Sequence, residues 1–153
     1  PAVLLLDNVR SALNVGSIFR TADAFRIERI LLCGITAAPP SAEIRKTALG
    51  AEMSVSWEHC GSSLEAALRL RSDGYAIVAV EQARGSVMID KMDLHGCEKV
   101  ALIFGNEVKG VDDALMDICD MCVEIPQFGT THSLNVSVSA GIAIWETFKQ
   151  LHR

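Results

Sequence analysis

"AVLLLDNVRSALNVGSIFRTADAF", residues 2–25, sets a short continuous apolar run directly before a stretch with helical periodicity. Residues 2–7 show no alternation of apolar and polar side chains, which is what a strand covered on both faces requires. Asn14 is read as a helix cap, and Val15, Ile18, Phe19, Ala22 and Phe25 then follow the i, i+3, i+4, i+7 spacing of one buried stripe through Phe25. A doubly covered strand followed by an amphipathic helix is the unit from which parallel α/β sheets are assembled.

The rest of the chain repeats this alternation. Apolar runs at 29–35, 75–81, 99–105 and 121–126 read as strands, with a weak strand at 53–57. Helices are expected after Ser41, from Ser62 or Ser63 to Arg71, after Asp112, and from about Ser133 to the end. Residues 83–98 read as loop. There is no internal repeat, low-complexity tract or linker, so residues 1–153 are expected to form a single α/β domain with a mainly parallel sheet flanked by helices. Such sheets bind ligands beyond the carboxyl ends of their strands. That rule gathers Asn14 and Arg20 after the first strand, Glu81 at the end of another, residues 105–107, and residues 129–135 onto one rim.

Composition narrows the classes. The net charge is −5, unlike the basic balance of a nonspecific nucleic-acid binder. The charge is uneven: residues 1–72 hold 8 Lys+Arg against 7 Asp+Glu, and residues 73–153 hold 6 against 12. A local basic patch around Arg10, Arg20, Arg26, Arg29, Arg45 and Lys46 therefore stays open. No apolar run nears the ~18 residues of a membrane span, and no signal peptide is evident. Five cysteines, an odd number, fit a reducing compartment and a cytoplasmic location. Cys119 and Cys122 form a C-x-x-C, but no second pair or spaced histidines complete a metal set, and no metal is expected.

Three stretches bear chemistry. In the helix from Asn14, Arg20 lies one turn beyond Gly16, and the missing side chain at 16 leaves room for a ligand near the guanidinium. "IFGNEVKG", residues 103–110, lacks the order of a phosphate loop. Its Gly105 lets a ligand lie on the backbone, and Glu107 projects from the same turn. "IPQFGTTHSLN", residues 125–135, collects hydroxyl and amide groups at a helix start. Neither His132 nor Ser133 has the partners of a nucleophilic site, and no G-x-G-x-x-G follows the first strand.

Taken together, N-x-G-x-x-x-R-x-A at 14–22, G-x-E-x-x-G at 105–110 and I-P-x-x-G-x-x-x-S-L-N-V-S at 125–137 resemble the SpoU-type, TrmH-like RNA ribose 2′-O-methyltransferases of the SPOUT superfamily. Arg26 stands where the family often has Gly. The chain begins at Pro1 without a separate N-terminal RNA-recognition domain, and a processed or trimmed start fits. The resemblance implies a SPOUT domain with a carboxyl-terminal trefoil knot, a homodimer, an S-adenosylmethionine cofactor and an RNA substrate, tRNA more than rRNA. It implies cofactor contacts at Gly105, Ile125 and Leu134, and a reaction site of Asn14, Arg20, Glu107, Ser133 and Asn135. A guanidinium stays protonated, so Arg20 is read as holding phosphate and stabilising charge on the 2′ oxygen, with Glu107 the alternative proton acceptor. The competing readings are a catalytically silent knotted RNA-binding module, a SPOUT enzyme acting on a base or on protein, and a nucleotide-binding regulatory domain.

Overall fold

A computed structural model describes residues 1–131 and 133–152; the loop assignment of His132 falls outside them. In chain order the elements are β1 (Ala2–Asp7), α1 (Ala12–Ala24), β2 (Arg29–Cys33), α2 (Ala42–Ala48), β3 (Ser56–Cys60), α3 (Ser63–Ser72), β4 (Ala76–Val80), β5 (Val87–Met88), β6 (Val100–Phe104), α4 (Asp113–Ile118), β7 (Met121–Glu124) and α5 (Val136–Leu151). The seven strands form one sheet in the order β3-β2-β1-β6-β4-β7-β5, and every pairing between them is parallel.

The apolar runs become strands because both faces of the sheet are covered. Along β1, Leu4 and Leu6 enter a core with Val15, Ile18 and Phe19 of α1, Ile44 of α2 and Ile144 of α5. Val3 and Leu5 enter a second core with Leu70 of α3 and Leu115 of α4. Phe19 and Phe104 are fully buried, each burial worth roughly 1.5–3 kcal/mol. Neighbouring strands β1 and β6 are followed by helices on opposite faces, α1 on one side and α4 on the other. The chain therefore opens a crevice at their carboxyl ends, the switch point at which such sheets bind ligands.

Two helix starts differ from the sequence expectation. Ser11, not Asn14, caps α1, its Oγ accepting from Asn14 N at 3.2 Å. Asn135, not Ser133, caps α5, its Oδ1 accepting from Ser137 N at 2.8 Å. In both places two capping residue types stand close together, and the nearer one to the apolar stripe is not always the one used. The weak strand runs over 56–60 rather than 53–57, and part of the expected 83–98 loop pairs with β7 as the edge strand β5. Edge strands are partly solvated, so their apolar signal is thin.

The role of Gly16 also changes. A Cβ there would collide with Ile44 O and Thr47 Oγ1 of α2. The glycine exists for the close crossing of α1 and α2, and Thr47 Oγ1 completes that contact by donating to Leu13 O at 2.7 Å. It makes no room beside Arg20.

The carboxyl-terminal helix returns to the α1 face and is held there by the connection between β4 and β6. Gln150 accepts from Leu94 N at 2.8 Å and donates to Met92 O at 2.8 Å. That connection and α5 thus share one face, with Ile89, Met92 and Leu94 packed in the same core as Ala140, Ala143 and Ile144. The arrangement is compatible with the carboxyl-terminal knot implied by the resemblance.

Gly16→Ala is expected to destabilise the fold by about 1–3 kcal/mol, the usual cost of overpacking against backbone. Thermal unfolding of the variant beside the native protein measures it; an unchanged midpoint would mean that α1 and α2 separate freely.

Candidate functional site

Glu107 organises the crevice. It follows β6, yet its carboxylate reaches the loop after β1. Oε1 accepts from Arg10 N at 2.8 Å, and Oε2 accepts from Ser11 N at 2.9 Å and from Asn14 Nδ2 at 3.2 Å. Burial pushes the Glu107 carboxyl up, but the Arg10 and Ser11 backbone N–H groups, its own N–H and Asn14 outweigh this and leave it below the usual carboxylate range. A carboxylate so engaged is a weak base, which argues against Glu107 as a proton acceptor.

One acceptor-only group then orients two amides. The Glu107 carboxylate can only accept, so Asn14 must turn Nδ2 toward it. Asn14 Oδ1 is left facing outward and accepts from Asn135 Nδ2 at 3.2 Å. Asn135 in turn keeps Oδ1 for Ser137 N. Three segments separated by some 120 residues along the chain are thereby fixed in one line, and each amide retains an N–H for a ligand.

Beside this line lies a cleft of about 500 Å³, formed by the ends of β4 and β6 and by the loop between β7 and α5. Gly105, Glu107, Ile125, Ser133, Leu134 and Asn135 all line it. So do Glu81, Gln82 and Gln127. Among the described lining residues there are two carboxylates, Glu81 and Glu107, and no Lys or Arg. Such a cleft suits a neutral or cationic ligand and repels a polyphosphate.

Gly105 has a different purpose from the one read in the sequence. A Cβ on it would strike the backbone of Gly110 and Val111, so the glycine closes the loop on itself. Glu81 locks the same loop, with Oε2 accepting from Val111 N at 2.8 Å and occupying the space a side chain at 110 would need. Glu81 was already on the rim by the strand-end rule. The Arg10 and Ser11 donors were not foreseeable, because backbone groups leave no mark in a sequence.

Arg20 is not brought into this line. It lies on α1 six residues beyond Asn14, which is ~9 Å along the axis and on another face of the helix. It is exposed, and among the described residues its side chain has no ion pair. Exposed apolar side chains adjoin the site instead: Leu13 at 42% beside Asn14, and Val138, Ile142 and Trp145 at 51%, 38% and 49% along one stripe of α5.

Residues 1–145 match the SpoU rRNA Methylase family. A 23S rRNA (guanosine-2′-O-)-methyltransferase RlmB of Neisseria meningitidis is 33% identical over 98% of this chain and 59% of its own length. The AdoMet-bound rRNA methyltransferase from Sinorhizobium meliloti superposes with a TM-score of 0.91 at 32% identity, over 99% of this chain and 57% of that one. The A. aeolicus TrmH/SpoU tRNA modifying enzyme gives a TM-score of 0.86 at 28% identity, over 97% of this chain and 74% of that one. The chain spans about six-tenths of the length of the curated relatives it matches. With the family's sequence pattern running along nearly all of it, and its parallel sheet overlying those structures, this chain belongs to the SpoU rRNA Methylase family.

Proposed function

We propose that the domain transfers a methyl group from S-adenosylmethionine to a ribose 2′-hydroxyl of RNA. The observation that carries this is the cleft bounded by Glu81 and Glu107 without a described cation, set against an oriented Asn14–Asn135 pair. The lining fits the cofactor: apolar Ile125 and Leu134 and backbone at Gly105 suit the adenosine, and the carboxylates suit a positive sulfur. When bound, the cofactor supplies an electrophilic methyl on a sulfonium. The same absence of described cations weighs against a nucleotide-binding regulatory domain.

The chain's own residues position and polarise. Asn14 and Asn135 offer N–H groups to the ribose, Glu107 holds Asn14 in register, and Ser133 lies at the cleft wall to meet the ribose or the donor. Arg20 is assigned to the substrate phosphate and to charge on the 2′ oxygen, supplied to this cleft by a second copy of the chain. The exposed stripe of α5 beside Leu13 supports a homodimer whose interface abuts the site. RNA is the polymer named for the relatives. Those named for 23S rRNA reach 33% and 35% identity, and the structure named for a tRNA modifying enzyme 28%, so the leaning toward tRNA in the sequence is not supported.

Incubation with methyl-labelled S-adenosylmethionine and total RNA is expected to yield labelled 2′-O-methyl nucleosides after digestion. Label on a base, or S-adenosylmethionine binding without transfer, would overturn the reading. Mixing subunits carrying Arg20→Ala with subunits carrying Asn135→Ala, each inactive alone, is expected to restore about one quarter of native activity if one intact site forms per mixed dimer. No recovery would place Arg20 outside a shared site.

Glu107→Gln is expected to lower stability at pH 7 by ~1 kcal/mol through weakened acceptance from two backbone donors. Because the folded-state pKa of Glu107 is depressed, its contribution is fully present above the unfolded value and fades as pH falls through the folded one. Unfolding midpoints of native and variant protein should therefore converge in acid; a constant gap would show that the charge is not responsible.

A further inference from the structure

Across the Asn106–Gly110 turn from the first cleft lies a second, of about 800 Å³. Arg10 lines it from the loop after β1, Ile35 from the loop after β2, Val108 and Lys109 from the turn itself, and Asp113 from the start of α4. The function proposed above gives it no task.

Most polar groups in its walls are already committed to the fold. Asn8 Oδ1 accepts from Ile35 N at 2.9 Å. The buried Asp7 carboxylate accepts from Ser63 Oγ at 2.6 Å and Asp112 N at 3.0 Å. Asn106 Oδ1 accepts from Val108 N at 2.9 Å and Lys109 N at 3.0 Å. Three charged groups are left over. The side chains of Arg10, Lys109 and Asp113 have no hydrogen bond or ion pair among the described residues, although all three face one cleft. Between them stand two apolar side chains in water, Ile35 at 64% and Val108 at 86% exposure. Two cations, one acceptor-only anion and an apolar floor describe a receptor for a nucleotide: phosphate on the cations, ring on the floor, ring N–H groups on the carboxylate.

We propose that this second cleft receives the base and adjoining phosphate of the RNA nucleotide to be methylated, and that Asp113 selects guanine. The inference rests on the methyl-transfer reading above and extends it to substrate choice. The two clefts share Asn106, Val108 and Gly110, so a ridge one turn wide divides them. A ribose astride that ridge, next to Glu107 and Asn14, turns its 2′ oxygen to the first cleft and its base to the second. The choice of guanine follows from the carboxylate. The Watson–Crick edge of guanine presents N1–H and N2–H side by side, both donors for one carboxylate. Adenine, cytosine and uracil each set an acceptor beside their donor, which a carboxylate repels.

The test uses the native protein on total RNA to locate its methylated nucleotide, then short RNAs carrying guanosine, inosine or adenosine at that position. Native protein is expected to prefer guanosine over inosine, which lacks the N2 amino group, and to leave adenosine unmodified. Asp113→Asn is expected to lower kcat/KM on guanosine about tenfold or more, mostly through KM, and to erase the preference over inosine. Thermal midpoint and S-adenosylmethionine affinity by calorimetry should stay at native values. Arg10→Ala combined with Lys109→Ala should weaken all three RNAs alike and flatten the salt dependence of binding. A methylated nucleotide other than guanosine, or Asp113→Asn with native rate and preference, would overturn this assignment while leaving methyl transfer intact. A native protein that methylates no RNA would remove the functional reading itself, and this one with it.

Discussion

The architecture of the site depends on a carboxylate in one loop meeting backbone N–H groups in another. Glu107 follows β6, and its partners at Arg10 and Ser11 follow β1. Those strands are neighbours in the sheet, but the helices after them leave on opposite faces, so their loops would otherwise splay apart. Hydrogen bonds to a charged acceptor are roughly twice as strong as neutral ones, and here they pin the lips of the crevice at the point of divergence. The lip after β1 has a second tie in Thr36, whose Oγ1 accepts from Val9 N at 3.0 Å and lies 2.8 Å from Cys33 O. The geometry of the amide line from Asn14 to Asn135 follows from this closure.

Much of this was legible in the residues. Doubly buried strands announce themselves as unbroken apolar runs, and β1, β2, β4, β6 and β7 fall within a residue or two of the expected spans. The rule that ligands gather at carboxyl ends was enough to place Glu81, Glu107 and Asn135 on one rim. The errors share a cause. Ser11 and Asn14, or Ser133 and Asn135, are equally good caps in composition, and the choice is made by a partner 90 or more positions away: Asn14 is drawn to Glu107 and cannot also cap. Gly16 and Gly105 likewise record contacts with distant backbone, at Ile44 and at Gly110–Val111, not space for a ligand. Residues 87–88 pair only because β7 supplies an open edge. Position in a line of text shows residue type but not which of two suitable neighbours the fold recruits.

The electrostatics of the two clefts are opposite, although one turn separates them. The first has carboxylates and no described cation, and the second offers Arg10 and Lys109. A chain with net charge −5 can therefore present a cationic methyl donor and an anionic polymer with separate, locally matched surfaces. Global charge says little about either, because at physiological ionic strength interactions beyond ~8 Å are largely screened.

Glu81 and Gly110 carry a consequence for how this sequence can drift. The carboxylate fills the volume into which a side chain at 110 would project, and the backbone at 110 has φ +73°, which disfavours anything but glycine. A replacement at 110 is thus penalised twice, and shortening position 81 relieves only the collision. Glycine at 110 is consequently fixed before position 81 is free to vary, giving the two sites an order of inheritance rather than a symmetrical covariation.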